Sequence, residues 1–541
     1  MMLIAGSRIR FADRDPDPQL VLLGVVALVA SRWRLSPLVL AWWTAGTMTL
    51  LWTLAPANTF AAVMWETTYL AAFLAGRTPI AFWVAASLMA GSRILDAVLL
   101  NEFGLELFLS GSIHYVAGSF GLALFPLIFA VAVRVRRTTT ACALAVLVGL
   151  ALFGALASGA RAVYLPLSLV VVIVLARLTT SSVGLRRLAL VSALTACAAV
   201  GLDTLLPSHP IRTALRIKAS VEAQVAAASE EGAFSNRLRM WDQTLDIALK
   251  HPLGAGTGSY ASIVHAHQKY PMVWSSSAHN YYLETAATGG WLRFVLLLAL
   301  LVSILFRAWR TETAWPWALA AGGIWATFAF DVTYTYPSSM MFAFMTLGGA
   351  SAASRREGQP TSTAPDPSQR GVGAIWRLAG NLVPALGTAA MLAWWHLPCD
   401  GTPCLLHRRL GSEPVARHVL EDLSADQRTT VLARLRELYP ESIWVLRLEQ
   451  AHADGPAAKL ALASEIATRF PYQAPENYLD WALAALEAGR PEEAERAILK
   501  GLEVFSAASY PYGEMRMTTE RYQHWLEEAD RILLVVRGSG D

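Results

Sequence analysis

Arginine, histidine and glutamate stand at the edges of apolar runs in this sequence, in a pattern that offers chemistry. Arg161 lies in "ASGARAVYLPL", Arg237 in "SNRLRMW", and His279 and Glu284 in "SAHNYYLETAATGGW". A guanidinium is a permanently charged planar fork that meets two oxygens of an anion at once. An imidazole, with an unperturbed pKa of about 6.5, takes or gives a proton near neutral pH. An ionisable residue at the mouth of a membrane helix is costly against lipid, so Arg161 should face a cavity or a partner. Each residue alone also has a plainer reading. Arg161 would be an interfacial arginine reaching to water, Arg237 a solvated helix residue, and His279 a satisfied loop histidine. Arg239, two residues beyond Arg237, points to a different helix face.

The elements that must position these groups follow from composition. The chain has 541 residues, 55% hydrophobic and only 16% charged, against about 25% charged in a soluble protein. Apolar runs fall near 19–31, 37–55, 58–75, 79–100, 118–133, 140–157, 162–177, 188–206, 291–306, 313–330, 338–353 and 376–396. Several reach the roughly 17–25 residues that cross a bilayer as helix. The expected fold is an all-α polytopic membrane protein with about twelve spans. The 19 tryptophans suit membrane interfaces. A net charge of +3 gives no reason to expect nucleic-acid binding. Arginines at 134–137, 177–187, 307–310 and 355–370 mark one face as cytoplasmic. Alternation then puts the turn 158–161, the large loop 207–290 and the chain after 396 outside. Within that loop, "NRLRMWDQTLDIALKHP" reads as an amphipathic helix with Leu238, Trp241, Leu245 and Leu249 on one face.

The expected domains are a membrane domain at 1–353, a cytoplasmic linker at 354–375, a last span at 376–396 and a helical domain at 405–541. In that last region Gly455 and Gly489 lie 34 residues apart, each between two helical patterns. The period and the Gly–Ala layout resemble tetratricopeptide repeats. Such a domain would dock a peptide, an envelope-assembly partner or the membrane domain. Metal signals are poor. "HAH" at 265–267 offers two ligands with no obvious third, and Asp13, Asp15 and Asp17 read as a terminal tail. Cys399 and Cys404 form a tight pair that would oxidise only outside the cytoplasm; with His396 and His407 they make a weaker case for zinc. "GAGTGSY" at 254–260 lacks the lysine of a nucleotide-binding loop, so it reads as a turn permitting close backbone approach, with Gly256 and Gly258 free to touch glycan or phosphate.

Taken in order, these stretches resemble the O-antigen ligase and polymerase superfamily of bacterial envelope glycan enzymes. The residues that carry the resemblance are "SGARAVYL", "NRLRMWDQTLDIALKHPLGAGTGSY" and "AHNYYLETAATGG", spread over roughly 100–350. The resemblance implies a GT-C-like membrane glycosyltransferase, metal-independent, inverting and without a cofactor. Its donor would be a glycan on a polyprenyl pyrophosphate. Arg161 and Arg237 would clamp the departing pyrophosphate, and His279 would take the proton of the acceptor hydroxyl. Glu284 would orient or charge-balance His279, and Asn280 would position the acceptor or the loop. His114, in "GSIHYVAGSF", would line the donor groove. The acceptor is left open among lipid A-core, a growing glycan and a protein hydroxyl, with a slight lean to polymerisation. The rival class is a transporter or flippase of lipid-linked glycans. The expected location is the bacterial inner membrane, with the site and the C-terminal domain in the periplasm.

Overall fold

Apolar runs bounded by proline, glycine and arginine become helices because a backbone in lipid must satisfy its own hydrogen bonds. The computed structural model describes residues 18–31, 35–84, 113–157, 161–180, 184–206, 211–212, 233–271, 273–356, 380–393, 417, 420–506 and 519–538. Among the described residues there is no strand. Proline opens α1 (Pro18–Ala30), α2 (Pro37–Met48) and α3 (Pro56–Gly76), at a position where its missing N–H is harmless. Next come α4 (Ile113–Arg134), α5 (Thr138–Ala157), α6 (Arg161–Thr179) and α7 (Leu185–Leu205). The long connection carries α8 (Ala233–Lys250). After it come α9 (Tyr281–Arg310), α10 (Trp315–Thr327), α11 (Pro337–Arg356) and the apolar helix α12 (Gly380–Ala393).

By length and composition, α5, Ala162–Thr179 of α6, α7 and α9 are able to cross a membrane. Shorter apolar helices cover Gln19–Ala30, Pro37–Leu51, Gly118–Arg134 and Gly380–Ala393. Helices α3, α10 and α11 fall on three further expected runs. The run 79–100 lies largely outside the described residues. The main core gathers Trp42, Trp65, Tyr69, Phe73, Trp325 and Phe344 from α2, α3, α10 and α11. Helices α3 and α11 meet backbone to backbone: a Cβ on Gly76 would lie 1.9 Å from Met345 O, and one on Gly348 1.9 Å from Phe73 O. Small residues at such crossings let membrane helices approach closely. Leu165, Leu169 and Val172 of α6 face outward, where lipid would cover them.

Three of the arginine clusters meet at one end of the array. Arg134 bonds Glu312 at 2.8 Å, beside the Trp315 ring, and Arg177 lies 5.0 Å from the Trp309 ring centre. Helix α9 starts at the polar motifs, and its stretch 291–310 runs to that end, about 30 Å of helical rise. Helix α8 forms as expected. Met240, Gln243, Thr244, Ile247 and Ala248 are buried, while Leu238, Leu245 and Leu249 are exposed. Gln243 turns inward because its amide caps the Val273 carbonyl at 2.9 Å and its oxygen accepts from the Lys269 amide at 2.8 Å.

The C-terminal part holds α13 (Ala425–Leu438), α14 (Ile443–Ala451), α15 (Pro456–Arg469), α16 (Glu476–Glu487), α17 (Pro491–Ser506) and α18 (Thr519–Gly538), each packed on the next. Gly455 and Gly489, at φ 81° and 70°, separate α14 from α15 and α16 from α17. This part docks at the motif end of the array. The Ala57 amide donates to the Tyr439 hydroxyl at 3.2 Å, Gln268 Nε2 donates to Tyr472 O at 2.7 Å, and Ala266 packs on Ile443 and Phe470.

Candidate active site

Two motifs distant in sequence fold onto each other. Helix α9 starts behind Asn280, whose side chain accepts from the amides of Tyr282 and Leu283 at 3.0 and 3.1 Å. This is an N-cap, so Asn280 positions the loop. The helix breaks at Gly290, at φ 83° and ψ 164°. The turn 252–256 docks there: the amides of Ala255 and Gly256 donate to the carbonyls of Ala287 and Thr288 at 3.0 and 2.9 Å, and that of Trp291 to Pro252 O at 3.1 Å. Gly254, at φ 91°, lies against Gly290, and a Cβ on either would stand 2.5 Å from backbone atoms of the other segment. Only glycine combines that φ with that approach. Gly256 faces Thr53 and Thr59, where a Cβ would lie 1.9 Å from the Thr53 hydroxyl. Gly256 therefore serves packing, while Gly258 lines a cavity.

His279 is buried and has φ 52°, a positive value matched among the described residues only by glycines. Such backbone outliers gather at functional sites, where neighbours over-determine them. Here the Glu284 carboxylate is the neighbour. Its Oε2 accepts from the Ala278 amide at 2.9 Å and from the Tyr334 hydroxyl at 2.5 Å. Burial first, then the adjacent Glu284 carboxylate, pushes the Tyr334 hydroxyl up, so it stays a donor. Glu284 thus holds the amide of the residue before His279, whose ring Nε2 lies 3.2 Å from Ser275 Oγ.

Arg237 reaches the same place from α8. Its Nη1 donates to Phe330 O at 2.7 Å, while the Tyr281 amide donates to Phe328 O at 2.8 Å. The segment 328–334 therefore receives Arg237, the helix start two residues past His279, and the carboxylate of Glu284 through Tyr334. Arg239 points elsewhere, over the Tyr270 ring at 5.4 Å. Arg161 is the first residue of α6 and His114 the second of α4; their side chains lie outside the described residues, as do Asp13, Asp15, Asp17, His396, Cys399, Cys404 and His407.

A cavity of about 70 Å³ opens beside this segment, lined by Glu284, Tyr334, Thr257, Gly258, Glu66 and Arg293. The last two are functional candidates absent from the motif reading. Arg293 pairs with Glu66, both buried, donates to Thr257 Oγ1 at 2.6 Å and lies 4.6 Å from the Trp42 ring centre. Gly46 and Gly289 leave room for its guanidinium group and stem. The signal was present: charges inside apolar runs are rare and face a partner or a cavity. Of the pair "HAH", His267 meets His251 and Glu441, while His265 lies 4.4 Å from the Trp274 ring centre.

With this geometry described, comparison with known proteins bears on its class. A family model described as O-antigen ligase matches residues 107–298. The matched segment takes in Arg161, Arg237, the turn 252–256 and the motif 279–290. The match supports the O-antigen ligase and polymerase superfamily and, with the membrane-length helices, a membrane enzyme of that general, glycosyltransferase-like type. No curated protein matches the chain.

Proposed function

We propose that this protein transfers a glycan from a polyprenyl pyrophosphate to an acceptor hydroxyl at the outer face of the bacterial inner membrane. One observation carries the reading: the segment 328–334 gathers Arg237, the His279 loop and Glu284 beside a cavity that Glu284 and Tyr334 line. The acceptor oxygen forms a bond to the anomeric carbon as the bond from that carbon to the pyrophosphate oxygen breaks. The electron pair leaves with the pyrophosphate, and the acceptor proton passes to His279. Arg237 and Arg161 stabilise the developing phosphate charge without a metal. Attack opposite the leaving group inverts the anomeric centre. Arginine-rich helix ends lie in the cytoplasm, which puts the motif end and the docked C-terminal helices in the periplasm. Those helices cover the loop beside the site, favouring a growing polysaccharide over lipid A-core as acceptor.

The reading is tested by deleting the gene and analysing surface glycans, with complementation by wild type and by Arg237→Ala. Single repeat units on the surface identify a polymerase, and loss of capped lipopolysaccharide a ligase. Restoration by Arg237→Ala, or an unchanged glycan profile, overturns it.

A further inference from the structure

Away from the cavity, three side chains from two parts of the chain converge. His251 follows the last residue of α8, His267 ends the short turn Val264–His267, and Glu441 precedes α14 in the C-terminal part. His267 Nε2 lies 3.0 Å from Glu441 Oε2, and His251 Nε2 lies 3.6 Å from Glu441 Oε1. The two rings are 5.6 Å apart and nearly perpendicular, at 79°. One ligand atom from each residue falls within 4.8 Å of the others.

One tautomer of His267 makes this arrangement ready for a cation. Asp246 Oδ2 and the Lys250 ammonium each stand 3.4 Å from Nδ1 of His267, and the Glu441 carboxylate faces Nε2. A neutral imidazole has one N–H to give. If Nδ1 donates to Asp246, Nε2 turns a lone pair towards the Glu441 carboxylate. His251 Nε2 also aims at that carboxylate, is buried and makes no hydrogen bond. Lone pairs from two imidazoles and a carboxylate, pointed at one spot, describe a cation site. The positive charge nearby is already engaged: Lys250 pairs with Asp246 at 2.8 Å, and Lys269 bonds Asp242 at 3.3 Å and Asp246 at 3.5 Å.

We propose that His251, His267 and Glu441 bind one zinc-like divalent transition-metal ion that clamps the C-terminal helices to the loop beside the active site. Zinc takes imidazole nitrogen and carboxylate oxygen at about 2.0–2.2 Å, often with three protein ligands and a water. Tetrahedral donors at that radius lie roughly 3.3–3.5 Å apart; the rings meet the two Glu441 oxygens at 3.0 and 3.6 Å, and a set of one atom from each residue, spread within 4.8 Å, would draw in around the ion. Two imidazoles select zinc and its neighbours over magnesium or calcium. Asp246 on Nδ1 of His267 is the outer carboxylate that commonly fixes the tautomer of a ligating histidine. Glu441 is 174 residues from His267, so the ion would join parts of the chain that the helices alone leave linked by few contacts.

The test uses the full-length protein in detergent, stripped with a chelator and titrated with zinc alone. Wild type should take up one zinc per chain and melt at a higher temperature when loaded. Glu441→Gln and His251→Ala should each lose both responses, and Asp246→Asn should weaken binding by about 10–100-fold. His251 is half-buried, so its variant keeps the test open if Glu441→Gln misfolds. Zinc uptake by Glu441→Gln or by His251→Ala equal to wild type overturns the proposal. So does a wild type that ignores zinc, or one that responds equally to magnesium.

Discussion

Arg237 and Arg239 stand two residues apart and meet different neighbours, which makes them a matched pair of variants. Arg237→Ala removes the guanidinium at the 328–330 turn and should abolish glycan transfer. Arg239→Ala removes a group stacked on Tyr270 and should be mild. Loss of a general base costs about 10²–10⁴-fold in rate, so His279→Ala should fall in that range in a transfer assay while inserting normally in the membrane. Glu66→Ala belongs with stability instead. It leaves Arg293 buried without its carboxylate, and breaking one side of a buried pair costs about 3–5 kcal/mol. The melting point of the purified protein should drop accordingly, and replacing both residues with apolar ones should recover part of the loss. Arg237 and His279 were legible because each sits in a short ordered motif. The Arg293–Glu66 pair was not, because its members are 227 residues apart and only packing joins them.

Helices were legible as elements from apolar runs and their breakers, but their faces were not always. In α8 the leucine stripe marked one face without saying what covers it, and the buried face is the one that carries the bonds of Gln243 and Thr244. Periodicity reports where apolar residues recur, not whether lipid or protein covers them. The stretch 254–260 was read as a turn allowing close backbone approach, which Gly254 makes, yet its partner, the break at Gly290 just before the apolar run 291–306, is joined to it only by the fold. Gly290→Ala tests that junction. A Cβ there meets Leu253 backbone at 2.5 Å, and φ 83° disfavours any side chain. Positive-φ strain costs about 1–3 kcal/mol, so the variant should lose thermal stability and activity together. In the C-terminal helices, Glu465 is raised by burial but lowered further by hydrogen bonds from Arg436 and Arg469, for a net fall below its ordinary value. Its contribution is therefore present above about pH 4.3 and is lost as pH falls through the folded value. Glu465→Gln should flatten the low-pH part of the melting profile.

At the scale of the whole molecule, the arginine clusters at one end and the motifs at the other give the array a polarity that matches the sequence expectation. The docking of the C-terminal helices at the motif end was beyond sequence reasoning, since Tyr439, Gln268 and Glu441 meet their partners only through the fold. The central claim is bond formation at that end. The most direct measurement places purified protein in proteoliposomes with a polyprenyl-pyrophosphate-linked glycan and an acceptor glycan, and follows new glycosidic bonds. Wild type and Arg239→Ala should form them, whereas Arg237→Ala should not and His279→Ala should be slowed about 10²–10⁴-fold, with all four proteins equally inserted. Full transfer by His279→Ala, or movement of the lipid-linked glycan across the bilayer with no bond made, would contradict the account.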